Sequence, residues 1–232
     1  MKAKDFFTFS ESLPFASFFS GDLFPWEWVG NIRPALDSFD FTACPKLKLP
    51  VGLFVGENVY ISPDCKLPPY GVIEGPAYIG PRCELRPGVY IRQYVIVGAD
   101  CVLGNSCEFK NALILDHAQV PHFNYVGDSV LGLGAHLGAG AICANLRLDK
   151  QPITVVGANG VHFQTSMRKL GALMADYAEA GCNSVLQPGA ILGKRSVVVN
   201  THFSGYLPEN TLFHESRKQR GIPRRDSLGQ KD

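Results

Sequence analysis

Two basic residues, Arg92 and Lys110, stand eighteen positions apart, and each directly follows an apolar residue, Ile91 or Phe109. Glu108 lies two positions before Lys110. If eighteen residues make one structural turn, the two cations lie one above the other. Stacked like charges are unfavourable unless an anion sits between them. Phosphate is the obvious candidate, and two solvated surface charges are the plain alternative. His122 and Tyr125 follow Lys110 by twelve and fifteen positions, within the run Gln-Val-Pro-His-Phe-Asn-Tyr-Val-Gly-Asp at 119–128. Neutral imidazole accepts a proton near pH 7. A His beside an anion site is therefore a candidate general base, with a purely structural His as the rival reading.

The elements that position these residues follow from a six-residue step. Val55, Ile61, Leu67, Ile73, Ile79, Leu85, Ile91, Val97, Leu103, Phe109 and Leu115 are all aliphatic or Phe. A period of six does not hold a helix face, which repeats every 3.6 residues. It fits short strands separated by turns, three sides closing an eighteen-residue coil. Coils stack at strand spacing, about 4.8 Å, so Leu67, Leu85 and Leu103 form one internal ladder and Ile73 and Ile91 another. Cys65, Cys83, Cys101 and Cys107 each precede a ladder residue by two positions. A small, weakly polar side chain suits a tight corner there. The expected fold is mainly β, a parallel β-helix of hexapeptide repeats.

The register slips between Leu115 and Leu131, so residues 119–128 are expected to disrupt the repeat. It resumes around Leu137 and fails after Asn145. An inserted loop, 146–172, carries Arg147, Lys150, Arg168 and Lys169 before the step returns at Met174, Ala180, Leu186, Leu192 and Val198. Loops this long are usually functional or disordered. Residues 1–47 show no hexad register but hold both Trp, and six of the fifteen Phe by position 19. They are expected to form a short, partly helical N-terminal cap, helical within 26–39, on the end of the β-helix, shielding its open edge. The β-helix domain spans 48–213. A basic tail, 214–232, is expected to be disordered or to contact ligand phosphates.

Charge is balanced, 22 basic against 21 acidic residues in 232, which argues against nucleic acid or an anionic membrane as the main partner. No apolar run reaches the roughly 20 residues that span a bilayer. Acidic residues interrupt the apolar start where a signal peptide needs continuity, so a cytoplasmic location is expected. Seven Cys without a CxxC pair make a poor disulfide framework and a poor zinc site.

Three segments carry a resemblance: Cys-Glu-Phe-Lys-Asn (107–111), Val-Pro-His-Phe-Asn-Tyr-Val-Gly-Asp-Ser (120–129) and Leu-Gly-Ala-Gly-Ala-Ile-Cys-Ala-Asn-Leu-Arg (137–147). Together they resemble the C-terminal hexapeptide-repeat acetyltransferase domain of bifunctional sugar-1-phosphate nucleotidyltransferase/amino-sugar-phosphate acetyltransferases. Arg-Lys-Leu-Gly-Ala (168–172) and Gln-Pro-Gly-Ala-Ile-Leu-Gly (187–193) are similar to the archaeal type. Pro25-Trp26-Glu27 is similar to the linker before that domain.

The resemblance implies a left-handed β-helix and a homotrimer with sites between neighbouring subunits. It also implies acetyl-CoA as donor and an amino-sugar 1-phosphate, typically glucosamine 1-phosphate, as acceptor in UDP-N-acetylglucosamine supply. His122 falls on the catalytic base, Tyr125 and Asn145 on acceptor-contacting positions, and Arg92 and Lys110, with Glu108 nearby, on the phosphate-contacting pair. Lys150, Arg168 and Lys169 are expected to hold the donor, and backbone N–H groups near Gly138 and Gly140 to stabilise the oxyanion.

The sequence departs from that pattern at Gln151 and Thr154, where the family has lysines, with Lys150 one residue early. His136 stands for an Asn, and Gln93 for the Pro of an Arg-Pro pair. No metal is expected to be required. His117 and His122 have the five-residue spacing of zinc-binding carbonic anhydrases of this fold, but no His precedes His117 to complete the set. No Gly-rich nucleotide loop occurs, so this chain is not expected to act as a nucleotidyltransferase. Two rivals stand beside the acetyltransferase reading. One is a non-catalytic β-helix subunit partnering a separate nucleotidyltransferase. The other is a hexapeptide acyltransferase with another acceptor.

Overall fold

The computed structural model describes residues 1–11 and 13–214. Beyond His214, the basic tail considered above lies outside the described residues. The chain forms a parallel β-helix of about nine turns, preceded by a partly helical segment. Three strand faces wind around one apolar interior. The first face begins with Gly52–Val55, Tyr70–Ile73 and Val89–Ile91. The second begins with Val59–Ile61, Ala77–Ile79 and Val95–Val97. The third includes Glu84–Leu85, Val102–Asn105 and Gln119–His122. Each strand pairs in parallel with its successor one coil on, so the inner side chains stack in the ladders expected from the six-residue step.

The cysteines fill corners as expected. The Cys65, Cys83 and Cys101 thiols donate to the carbonyls of Gly80, Gly98 and Leu115, each at 3.1 Å. All seven cysteines are free. The thiol of the next coil, and then burial, push Cys65 and Cys83 far above the ordinary thiol range, and burial raises Cys143 to about 12.

The register slips once inside the stretch that the sequence suggests and once before it. Ile114, not Leu115, pairs with Val97 on one side and Leu131 on the other. Two sides are one residue short, Phe109 to Ile114 and Val126 to Leu131, and each is a single seven-residue strand bridging two faces, Glu108–Ile114 and Tyr125–Leu131. Residues 119–128 thus lie within the repeat, with Val120 and Val126 fully buried in the core.

The N-terminal segment packs along the side of the β-helix rather than on its end. The outward residues of the second face form one column, Tyr60, Tyr78, Ile96, Leu113, Val130, Leu173, Ile191 and Tyr206. Helix α1 (Ala3–Phe6) and helix α2 (Glu27–Asp37) cover that column together with the Phe cluster. Phe15, Trp28, Ile32 and Leu36 are essentially inaccessible, and each such side chain contributes about 1.5–3 kcal/mol of burial. Leu115 belongs to this outer cluster. Asp176 ties the segment down: it accepts from the Thr8 N–H at 3.0 Å and hydroxyl at 2.8 Å and from the Leu133 N–H at 3.0 Å, with the Lys194 ammonium at 3.3 Å.

The insertion is ordered. Leu131 pairs directly with Met174, and the chain between Asn145 and Leu173 leaves the coil to form an antiparallel hairpin, Thr154–Val156 with His162–Gln164. Ile153 and Val155 are buried against the same outer cluster, and the Phe163 ring lies 5.3 Å from Trp26.

Candidate functional site

The corner between the first and second faces gathers most of the expected site residues. Tyr90 pairs with Glu108 and Ile91 with Phe109, which sets Arg92 beside Lys110 on consecutive coils, as the eighteen-residue spacing requires. Lys110 in turn pairs with Gly127. The two cations do not, however, face each other across a gap needing an anion. The Arg92 guanidinium donates to Glu108 at 2.8 Å, which raises its pKa further. The Lys110 ammonium lies 3.6 Å from the Asp128 carboxylate. Each cation has found a carboxylate on the next coil, so the repulsion that seemed to demand a bridging anion is relieved within the chain.

Asp128 is the hub of this corner, and spacing arguments missed it. Its carboxylate is buried and accepts from the Asn111 amide at 2.8 Å and from the Asn145 amide. Both Asn111 and Asp128 sit at corners with positive φ, a conformation that Asn and Asp tolerate better than most residues. That turn chemistry is the signal available in the sequence. The Asn145 amide also donates to the Tyr125 hydroxyl at 3.2 Å. Tyr125 folds back over Gly127, where a Cβ would fall 2.5 Å from the phenol oxygen and 2.7 Å from the Asn145 nitrogen. Glycine is therefore required for Tyr125 and Asn145 to meet. Burial, and then the Asp128 charge, raise the Tyr125 pKa, so the phenol stays protonated and able to donate.

His122 occupies a different place. It ends the third-face strand at the corner before the first face, is exposed, and among the described residues its imidazole has no hydrogen-bond partner. Its backbone is firmly held. The His122 N–H donates to the Asn124 side-chain oxygen at 3.0 Å, and its carbonyl accepts from Gly140 at 3.0 Å. The buried Asn124 amide nitrogen donates to the carbonyls of Gly138 at 2.7 Å and Ala141 at 3.1 Å. One side chain thus locks His122 to the turn on the next coil. The Gly138 and Gly140 N–H groups, expected as oxyanion donors, are spent on Ala180 and His122 carbonyls. Among the described residues the N–H of Ala139, between them, is unpaired.

Lys150, Arg168 and Lys169 are brought together as expected. With Leu146 they line a cleft of about 550 Å³ with no carboxylate in its wall. The Leu170 N–H donates to the Asn145 carbonyl at 3.0 Å, so this basic cleft adjoins the Asp128 corner. Gln151 is exposed, and Thr154 donates to Gln164 in the hairpin at 3.0 Å. His117 lies 3.9 Å from Asp100, and His136 lies 3.7 Å from Glu179. Among the described residues no three His, Cys, Asp or Glu side chains converge as a metal site requires, and no helix is long and apolar enough to cross a membrane.

Residues 73–169 match the family model of the GMPPB C-terminal domain. The bifunctional protein GlmU of Methanococcus vannielii is 37% identical over 99 residues, which are 43% of this chain and 23% of that relative. A bifunctional sugar-1-phosphate nucleotidylyltransferase/acetyltransferase of Sulfurisphaera tokodaii is 36% identical over 91 residues, 39% of this chain and 22% of the relative. The matched part is thus under a quarter of each of these proteins. Among solved structures, the UDP-N-acetylglucosamine acyltransferase of Francisella novicida covers 62% of this chain and 51% of its own, at 14% identity and a TM-score of 0.34. The perosamine N-acetyltransferase of Caulobacter crescentus covers 68% of this chain and 52% of its own, at 16% identity and a TM-score of 0.27. Neither superposition is close enough to carry a functional argument. The chain thus has a repeat fold, and part of it is similar in sequence to the hexapeptide-repeat domain of bifunctional sugar-1-phosphate nucleotidyltransferase/acetyltransferases.

Proposed function

We propose that this protein is an N-acetyltransferase that moves acetyl from acetyl-CoA to an amino-sugar 1-phosphate, glucosamine 1-phosphate being the first acceptor to test. The observation that carries the reading is the Asn124 lock, which holds a partner-free imidazole one coil from an unpaired backbone N–H. The acceptor amine attacks the thioester carbonyl, an N–C bond forms and the C–S bond breaks. His122 takes the proton the amine must lose and can return it to the departing thiolate. The Ala139 N–H is a donor for the oxygen that becomes negative during attack. Lys110 and Arg92 hold the acceptor phosphate, Glu108 fixes Arg92, and Tyr125 and Asn145 hold the sugar. Lys150, Arg168 and Lys169 hold the donor's phosphates, since three unpaired cations in one cleft suit a polyanion.

The acting unit in this proposal is a homotrimer, which light scattering should report as three times 25.3 kDa. The test of function is transfer from acetyl-CoA to a panel of amino sugars, phosphorylated and free. His122→Asn should lower turnover by roughly 10²–10⁴ while the fold persists. Undiminished transfer would make His122 structural.

A second reading is favoured by the ion pairs, because Arg92 and Lys110 are both already matched by carboxylates. It is a non-catalytic β-helix subunit for a separate nucleotidyltransferase. Absence of transfer to any acceptor, with a nucleotidyltransferase co-purifying, would select it.

A further inference from the structure

The N-terminal segment reaches the Asp128 corner. Helix α2 leans over it and leaves a cavity of about 310 Å³, whose wall includes Gly30, Arg33, Gln93, Lys110, Asn111 and Asp128. Two cations and one carboxylate face this space. The carboxylate is already engaged by Asn111, Asn145 and Lys110. Arg33 has no carboxylate within ion-pair distance among the described residues. Its guanidinium carbon lies 3.8 Å from the Tyr94 ring centroid, and one terminal nitrogen donates to the Tyr94 hydroxyl at 2.6 Å. Stacking and one hydrogen bond fix the plane of the group and leave most of its five N–H donors unspent. The result is a pre-oriented fork beside an excess of positive charge.

Gly30 is the second, independent observation. It sits inside a helix, where glycine is unfavourable relative to alanine. Nothing within the chain requires it: a Cβ there would meet no atom within 4 Å. Gly30 lines this cavity and also the neighbouring cleft walled by Trp26 and Phe163, so the helix surface at Gly30 is left open on the cavity side.

We propose that Arg33 is a specificity-determining ligand for an anionic acceptor, so that the N-terminal segment forms part of the acceptor site. This rests on the acetyltransferase reading above and adds a residue of the N-terminal segment to its acceptor site. Arg33 and Lys110 grip the phosphate monoester from two sides, while the sugar extends from the cavity toward Tyr125 and Asn145 as proposed above. The cavity is at the lower end of the range of small-molecule sites, roughly 300–1,000 Å³. It suits a sugar monophosphate and not a bulkier nucleotide-linked sugar.

The experiment is calorimetric titration of the full chain with inorganic phosphate, glucosamine 1-phosphate and UDP-glucosamine, alongside steady-state acetyl transfer. Arg33→Ala should weaken binding of phosphate and of the sugar monophosphate roughly ten- to a hundred-fold, the range for a charged hydrogen bond. Gly30→Leu adds bulk to the cavity wall and should weaken both. Lys66→Ala, an exposed cation on another face, should change neither. UDP-glucosamine should bind poorly to every form. Transfer to glucosamine 1-phosphate with an unchanged KM in Arg33→Ala overturns the inference and leaves the acetyltransferase reading intact. Arg33-dependent binding without transfer to any acceptor sinks the acetyltransferase reading and keeps the anion site. Wild-type chain that binds neither phosphate nor the sugar monophosphate overturns the site outright, as does binding indifferent to Gly30→Leu.

Discussion

Replacing Asn124 by Ala should do more damage than its small size suggests. The side chain is 3% exposed and makes three hydrogen bonds to backbone, one accepted from His122 and two donated to Gly138 and Ala141. At about 1 kcal/mol net for each bond, the loss is about 3 kcal/mol. For a chain of this size each kcal/mol lowers the melting temperature by about 2–4 °C, so a fall of about 6–12 °C is expected. Asn124→Asp should be worse, because it keeps the acceptor for His122 but turns a carboxylate toward two carbonyl oxygens in a buried site. Scanning calorimetry reads the stability. Acetyl transfer measured well below the melting temperature reads the second consequence, a fall in kcat as His122 and the 138–141 turn lose their common anchor. A melting temperature within about 3 °C of wild type would show that the lock carries little energy. A folded variant with undiminished kcat would show that it does not position His122.

Three other outcomes follow from the structure. Asp176→Ala removes the anchor of Thr8 and should expose the segment before Trp26 to limited proteolysis at temperatures where the β-helix is intact; equal protease resistance would place the anchor elsewhere. Ile114→Asn should prevent soluble expression, whereas Leu115→Ala should lower the melting temperature by about 4–20 °C, from 2–5 kcal/mol for such a truncation; the reverse order would restore the six-residue register through Leu115. In native protein Cys182, the exposed thiol, should react with a disulfide reagent first and the buried Cys83, Cys101, Cys107 and Cys143 only after denaturation, read as thiol release against time.

The interior of the β-helix was legible because it obeys one rule: every sixth residue from Val55 to Phe109 points inward. Legibility ended at the first side that is one residue short, which ends on the second face, a face buried on both sides. Ala112-Leu113-Ile114-Leu115 is wholly apolar because Ile114 faces the core while Leu113 and Leu115 face the N-terminal segment. A strand covered on both faces shows no alternation, so a side shortened by one residue leaves no mark in the hydrophobic pattern. The stacked cations illustrate a different limit. Their spacing gave the stacking correctly, but their partners lie on the following coil, Glu108 beneath Arg92 and Asp128 beyond Lys110. Pairing of that kind is visible only once the coil register is known. His122, Tyr125 and Asn145 were found through resemblance, and the residues that hold them, Asn124, Asp128 and Gly127, through geometry.

The three faces also differ in what covers them, and the difference bears on the site. The second face is buried under the chain's own N-terminal segment and hairpin. The third carries a largely polar outer column, with Lys66, Glu84, Gln119, His136 and Glu179. The first presents Phe54, Val72, Tyr90, Glu108, Tyr125 and Ile142 outward, with Phe54 61% exposed. Its two edges hold the candidate chemistry, His122 at one corner and Lys110 at the other. Five residues separate His122 from Gly127, the partner of Lys110, a reach of at most roughly 17 Å for extended chain. An acceptor phosphate bound at Lys110 therefore meets the imidazole of the same chain only if the sugar lies across Tyr125 over the first face. A neighbouring copy packed on that face would meet the same need by bringing its own His122 toward the Lys110 edge. Both routes run over the first face, whose outer column the N-terminal segment does not cover.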